Sequence, residues 1–510
     1  MSISMMLEFF TLEHVLLMTF GAALGTVFGA VPGLSSVTAI TILLPLTFSL
    51  APETGIILLV SIWIGGTSGG LISAILMGIP GTAASIATCF DGYPMSKKGE
   101  SVKALGAGIV SSFIGTLGSL IVAAILCPFI AKFAVMLGPW ELFSLCFCAI
   151  ILVVTISTGD MWTGLMSAFL GMLLASFGFD PLTGTSRFNF GIRALKGGIN
   201  LTAFCIGVLA MSSIMANFAK GDTKSPDVSL DGIKGFGITL KELKDNLGLI
   251  IKSFGIGLWI GFLPGMGAGL SNMVAYAQAK ASSKNPEKFG TGCIEGIMAP
   301  EVANNASVGG ALIPMITLGI PGDTVTSLLL GGLLIHGIEA GPLLMTNSAG
   351  YVNAMFFGCI CAAIIVLCLQ FFGMRSFPFI LRLPFKYLFS TIAMLCFIGT
   401  YSSNRSIAVL WVMVAMSAIG FLLRFAKYHF SPMLLGFILG PMLEKYLRRG
   451  LSYAADGWQM FFTRPVSGLL LVIALGSLFW PFIRNHLDEK KKLKKVGEDL
   501  PTIQVAGEED

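Results

Sequence analysis

An all-α polytopic membrane protein with two related halves is the fold class this sequence predicts, and three observations predict it. The chain of 510 residues is 55% hydrophobic and only 12% charged, against roughly 25% charged for an average soluble domain. Its apolar runs, among them Ala104 to Ile130, Leu142 to Ser157, Met355 to Phe372 and Val466 to Phe482, approach or exceed the roughly 20 residues that cross a bilayer. A signature of helix breaks is also written twice. GxxxGxxPG runs from Gly25 to Gly33 and from Gly257 to Gly265, and GIPG follows each copy, at Gly78 to Gly81 and Gly319 to Gly322.

Proline removes a helix hydrogen bond and glycine lets the backbone leave helical geometry, so each motif is expected to interrupt an apolar segment. Within a bilayer such interruptions persist only where buried protein or a wet cavity satisfies the freed backbone groups. Matched interruptions in two halves point to the central binding site of a transporter. We expect ten to twelve transmembrane spans in two inverted-topology repeats with broken, discontinuous helices.

The chain start lacks a basic region, with no Lys or Arg before Lys97, so no cleavable signal is expected and the first apolar stretch counts as a span. Residues 1–219 form the expected first repeat and 247–484 the second. They share a PFI-containing turn, CPFIAKFAVMLGPWELF from Cys127 and FPFILRLPFKYLF from Phe377. Between them, residues 220–246 carry Lys220, Lys224, Lys234, Lys241 and Lys244 and read as a cytoplasmic linker. Residues 485–510, with a basic run from Lys490 to Lys495, read as a cytoplasmic tail.

Loop charge sets how the halves face. Lys97, Lys98 and Lys103 follow the first GIPG, whereas Lys280, Lys284 and Lys288 follow the second PG motif. The remaining two loops, around Ser49 to Thr54 and His336 to Ser348, carry no Lys or Arg. By the positive-inside rule, equivalent loops then lie on opposite sides of the membrane. The net charge of +5 belongs to this topology rather than to an anionic partner. The ten cysteines lack metal-ligand spacing and read as small core residues.

PGLSSVTA, Pro32 to Ala39, places Ser35, Ser36 and Thr38 just after a helix break. A half-helix starting there directs free amides and its positive dipole end at the break, which suits an anion. The counterpart PGMGAGLSN ends in Ser271 and Asn272, and close helix packing is its alternative reading. IGGTSGG sets Thr67 and Ser68 in a glycine cluster. Thr82, Ser85 and Thr88 recur every third residue and on a helix share much of one face, either lining a polar path or bonding back to carbonyls. Asp91, before Tyr93 and Pro94, reads as a cap or loop carboxylate.

EGIMAPEVANNASVGG, Glu295 to Gly310, is the most polar segment beside long apolar runs, where each polar group is costly unless paired or wet. Glu301, Asn304 and Asn305 offer hard oxygen ligands for a coupling cation, with the backbone at Pro32 and Gly33 and the Asp323 side chain as further candidates. Asp323 can equally cap the half-helix after the second GIPG. Glu295 is the exception, placed at the membrane edge. The four histidines are scattered, and no nucleophile elbow, phosphate loop or CxxC is present, so an enzyme is not expected.

These motifs, above all GxxxGxxPGLSS, GIPGTAASIATCFDGYPMSKKG, the run from Pro264 to Asp323, and SPMLLGFILGPMLEKYLRRGL with FFTRP, resemble TctA, the large membrane subunit of bacterial tripartite tricarboxylate transporters. The similarity covers nearly the whole chain; Asp323 departs from it where a small polar residue is expected. The resemblance implies cation-coupled uptake of a tri- or dicarboxylate such as citrate across the bacterial inner membrane. A sodium ion or a proton is the implied coupling ion, and no cofactor is implied. A small TctB-like membrane subunit and a periplasmic TctC-like solute-binding protein are the implied partners. A passive anion channel is the alternative reading.

Overall fold

In both halves a glycine stops the central helix and a PG motif stops the helix packed against it. The computed structural model describes residues 8–156, 161–180, 182–192, 195–219, 237–377, 385–453 and 457–479. Most of the expected linker, with Lys220, Lys224 and Lys234, the tail 485–510 and most of the second PFI turn lie outside them. In the first half α1 (Leu12–Ala30), α2 (Ser36–Leu43), α3 (Pro52–Met77), α4 (Thr88–Lys97) and α5 (Ser101–Ala134) follow one another. Then come α6 (Pro139–Ile156), α7 (Met161–Ala175), α8 (Leu201–Cys205), a π-helical turn at Ile206–Met211 and α9 (Ser212–Ala219).

The linker contributes α10 (Leu240–Asp245), and the second half opens with α11 (Leu247–Phe262), α12 (Gly267–Ser282), α13 (Glu295–Leu318) and α14 (Thr324–Ile335). It continues through α15 (Leu344–Asn347), α16 (Ala349–Gly373), α17 (Phe385–Asn404), α18 (Ile407–Phe425), α19 (Phe430–Ser452) and α20 (Gly457–Thr463), with a further apolar helix at Pro465–Phe479. Among the described residues five helices are long and apolar enough to cross a membrane: α1, α3, α5, α16 and α18. Among the described residues the only strands are a two-residue pair, Gly178–Phe179 against Ser186–Arg187. Behind it Arg187 and Arg448 share the carboxylates of Asp180 and Glu444.

The central helices α3 and α13 are buried along nearly their whole length. Each ends at a left-handed glycine, Gly78 at φ +69° and Gly319 at φ +72°, a conformation that costs glycine little and other residues more. Against α3 lies α1, and against α13 lies α11, at a separation only glycine permits. A Cβ on Gly25 would come within 2.2 Å of the Ile62 carbonyl oxygen, and one on Gly257 within 2.1 Å of that of Ala303. The close approach repeats at the GIPG breaks, where a Cβ on Gly81 would lie 2.1 Å from the Gly29 oxygen and one on Gly322 2.6 Å from the Gly261 oxygen. The small residues do pack helices closely, as in other membrane bundles, and the same motif makes the breaks.

The halves also cross over. Helix α16 of the second half packs on α3, and α5 of the first packs on α13. At one end, Lys98 Nζ donates to the Thr291 carbonyl at 2.7 Å. Nearby, Asp91 is buried and accepts from the amides of Gly290, Gly292 and Cys293 and from the Tyr276 hydroxyl, at 2.8 to 3.0 Å. Lys103 pairs with Glu242 of α10 at 2.7 Å. Elsewhere, His336 after α14 meets Thr47 after α2, Nε2 to Oγ1 at 3.3 Å. The two lysine-bearing loops therefore adjoin one another, and so do the two loops without Lys or Arg.

Candidate functional site

All four breaks open on one cavity of about 1020 Å³. From the two PG breaks come Ser35, Ser36 and Val37 and their counterparts Gly267, Ala268 and Gly269. From the two GIPG breaks come Thr82, Ala83 and Ala84 and their counterparts Asp323, Thr324 and Val325. Thr67 and Val308, equally far before their GIPG motifs, add a third matched pair.

The half-helices begin at this wall. Ser35 Oγ accepts from the Thr38 amide at 3.4 Å and caps α2. Asp323 Oδ1 accepts from the Thr326 amide and hydroxyl, both at 2.7 Å, and caps α14. Capping and cavity contact, alternatives for Asp323 on sequence grounds, are both present. The N-termini of α2, α12 and α14 thus border the cavity, each with the partial positive charge of its free amides.

Three basic side chains that sequence reasoning missed complete the wall: Arg424 in the last turn of α18, and Lys427 and His429 between α18 and α19. Arg424 Nε donates to Ser212 Oγ at 2.9 Å, and Nη2 donates to the Leu209 carbonyl in the π-helical turn at 3.3 Å. Its guanidinium stacks over the Phe430 ring at 4.6 Å. Among the described residues no carboxylate pairs with Arg424 or Lys427. The available signal was a basic and aromatic cluster, Arg424 to Phe430, between two apolar stretches.

Other expected residues turn from the cavity into a polar layer between helices. Glu301, Asn304, Asn305 and Asn272 are completely buried. Glu301 Oε1 accepts from Thr88 Oγ1 at 2.6 Å, and Oε2 accepts from Ser112 Oγ at 3.0 Å and Asn304 Nδ2 at 3.2 Å. Asn304 Nδ2 also donates to the Ala84 carbonyl at 2.7 Å, directly behind the cavity wall, and Asn305 Nδ2 donates to Asn304 Oδ1. Asn305 Oδ1 accepts from Thr116 Oγ1 at 3.0 Å. Asn272 Oδ1 accepts from the Ala87 amide at 2.8 Å.

The remaining hydroxyls sort by helix face. Ser68 donates to Gln370 Oε1 at 2.9 Å, whereas Ser271 bonds back to Ala268 and Ser85 bonds back to Thr82. Thr38 is buried within α2, and Pro32 and Gly33 form the break behind Ser35. Thr82, Ser85 and Thr88 do not share one helix: a 3-10 turn at Ala83–Ser85 precedes α4, which begins at Thr88. Thr82 faces the cavity and Thr88 reaches Glu301. No cluster of three or more His, Cys, Asp or Glu suited to a metal occurs among the described residues.

Residues 15–435 match the family described as the tripartite tricarboxylate transporter TctA family. The chain belongs to the TctA family. A protein of Agrobacterium vitis, described as an uncharacterized 52.8 kDa protein in the TAR-I ttuC' 3' region, is 32% identical over 476 residues, covering 92% of this chain and 94% of its own. A second Agrobacterium vitis protein, uncharacterized and in the TAR-II ttuC' 3' region, is 34% identical over 240 residues, covering 46% of this chain and 98% of its own. No solved structure matches.

Proposed function

We propose that this chain carries out cation-coupled uptake of a tri- or dicarboxylate across the bacterial inner membrane, with the 1020 Å³ cavity as its substrate site. The observation that carries the reading is the convergence on that cavity of three half-helix N-termini with Arg424 and Lys427. Carboxylates gain charge-assisted hydrogen bonds from guanidinium and from helix-end amides. Ser35, Ser36 and Thr82 supply neutral donors beside Thr67, which gives its own proton back to the Trp63 carbonyl at 2.9 Å, and Asp323 on the cavity wall selects against excess negative charge there. Ser68, Ser85, Ser271 and Asn272 support the walls from behind.

The coupling step belongs to the Glu301, Asn304 and Asn305 layer, which touches the cavity wall through Ala84. A wholly buried carboxylate without a cationic partner requires compensating charge, supplied here by the coupling ion, sodium or a proton. Residues 1–219 and 247–484 act as inverted repeats: the matched cavity positions, the crossed packing of α5 and α16, and the adjacency of the two lysine-bearing loops all support that arrangement. Alternating access then exposes the cavity first to a periplasmic TctC-like binding protein, with a TctB-like subunit completing the complex.

Uptake by reconstituted vesicles tests the reading. Citrate and a panel of di- and tricarboxylates are expected to accumulate against their gradients with binding protein present, and an ionophore is expected to collapse the accumulation. Replacing Asn304 and Asn305 together with alanine is expected to abolish driven uptake while the protein stays in the membrane. Equilibration without accumulation would instead identify a passive anion channel.

A further inference from the structure

A second, much smaller cavity of about 10 Å³ lies between α3, α5 and α16, lined by Ser68, Ser112, Thr116 and Gln370 among apolar side chains. It shares no lining residue with the large cavity. Its volume is that of about one water-sized sphere, room for a single water or a small dehydrated ion.

The proton positions decide between those occupants. A serine or threonine hydroxyl has one proton to give. Ser112 gives its proton to Glu301 Oε2, and Thr116 gives its proton to Asn305 Oδ1, each at 3.0 Å, so both oxygens present lone pairs to the space. Gln370 is completely buried; Oε1 accepts from Ser68 at 2.9 Å, while Nε2 has no partner. An orphaned buried amide is costly. A half turn of that amide directs Oε1 at the cavity, which adds an oxygen there, and places Nε2 on Ser68 Oγ, which then keeps its own proton to give. Ser112, Thr116 and Gln370 then offer acceptors to the space, and Ser68 adds a hydroxyl oxygen. A water has two protons to offer and sets its own lone pairs against the rest, whereas hard oxygen ligands all suit a small hard cation.

The charge agrees. Glu301 is wholly buried, no Lys, Arg or His pairs with it among the described residues, and its oxygens are already engaged by Thr88, Ser112 and Asn304. A cation one hydroxyl away, behind Ser112, balances the carboxylate without displacing those donors. We propose that this cavity is a binding site for a monovalent cation of sodium's size, ligated by Ser68, Ser112, Thr116 and Gln370, with Glu301 as its counter-charge. The inference rests on the cation-coupled reading above and names a place for the ion. Because Ser68 follows Thr67 on α3, the ion and the large cavity touch neighbouring faces of one helical turn. Because Gln370 lies on α16, the ion bridges both halves of the chain.

Thermal unfolding of the full-length purified protein, with sodium chloride exchanged for choline chloride at constant ionic strength, tests the site. A saturable rise in the midpoint with sodium is expected, since a ligand bound only to the native state stabilises it. Thr116→Val and Gln370→Leu are expected to raise the half-saturating sodium concentration tenfold or more. Thr116→Ser and Gln370→Glu retain oxygens at those points and are expected to keep it within threefold, so poor folding of the apolar variants does not decide the outcome. Absence of a sodium-specific rise in the wild type, the result for a lone ordered water, would overturn the site. So would unchanged sodium dependence in Thr116→Val and Gln370→Leu. Driven uptake assayed alongside separates the two readings: sodium binding untouched by the variants with uptake still ion-driven sinks the site alone. Wild-type uptake indifferent to every cation gradient sinks the coupling.

Discussion

The two central helices share a frame and differ in what they carry. Counted back from their GIPG glycines, Val60, Trp63 and Ile64 of α3 stand where Glu301, Asn304 and Asn305 stand in α13. Both sets are buried, yet one is apolar packing and the other a hydrogen-bonded layer around a carboxylate. The matched glycines, the left-handed caps and the cavity-facing positions were kept in both halves. Backbone geometry and polar chemistry therefore answer to different constraints: the breaks occur twice around one cavity, and the hydrogen-bonded carboxylate layer occurs once.

The largest expected effect comes from erasing that difference. Glu301→Ala leaves buried donors on Thr88, Ser112 and Asn304 without their acceptor, and a loss of about 1–3 kcal/mol is expected for each donor left unsatisfied. Thermal unfolding would show it, alongside abolished uptake. Glu301→Gln keeps the shape and is expected to recover part of the stability but not the driven uptake. Next in size is the cavity wall contributed outside the matched breaks. Arg424→Ala is expected to raise the substrate concentration for half-maximal uptake by about 10- to 100-fold, the worth of about 1.5–3 kcal/mol in a charge-assisted hydrogen bond, with Arg424→Lys intermediate.

The frame itself can be tested in both copies. Gly81→Ala and Gly322→Ala each push a methyl into a glycine carbonyl, at 2.1 Å and 2.6 Å, and overpacking costs typically about 1–3 kcal/mol. Unfolding midpoints are expected to fall for both, further for Gly81→Ala. Asp323→Thr restores the residue its counterpart Thr82 carries. Since threonine also caps, stability is expected to change by less than about 1 kcal/mol, while preference among substrate charge states moves toward the more negative acid in a competition assay.

The smallest effect lies outside the membrane. The Lys103 ammonium beside Glu242 holds its carboxyl down at about 2 from an ordinary 4.5. A depressed carboxyl contributes stability that is complete above its unfolded value and lost as pH falls from 4.5 toward 2. The pair is solvent-exposed, so its share is below about 1 kcal/mol. Glu242→Gln is expected to flatten the acid limb of a stability profile only slightly.

Much of this was legible because proline and glycine act locally: the breaks, their doubling and the polar run after the second copy all stand in contiguous sequence. Glu301, Asn304 and Asn305 announce themselves because carboxylates and amides are expensive in apolar surroundings. By the same rule Gln370, alone in the run from Met355 to Phe372, was a readable signal that went unread. Thr67 and Ser68 were not separable, because adjacent residues on a helix point about 100° apart and nothing in IGGTSGG says which faces the cavity. Arg424 and Lys427 were hidden for a different reason. Their place on the cavity wall depends on how α18 and α19 pack against the breaks, and a charge near a helix end reads the same whether it faces water, lipid headgroups or a cavity.

Asp91 has a mechanical meaning. Its single carboxylate takes the amides of Gly290, Gly292 and Cys293 and the Tyr276 hydroxyl, riveting α4 to the loop that leads into α13. A stroke that parted the two repeats at this rivet would tear several charged hydrogen bonds at once, so the load falls elsewhere. Segments tied this way are expected to travel together, α4 with the loop into α13, rather than to part along the boundary between the two halves.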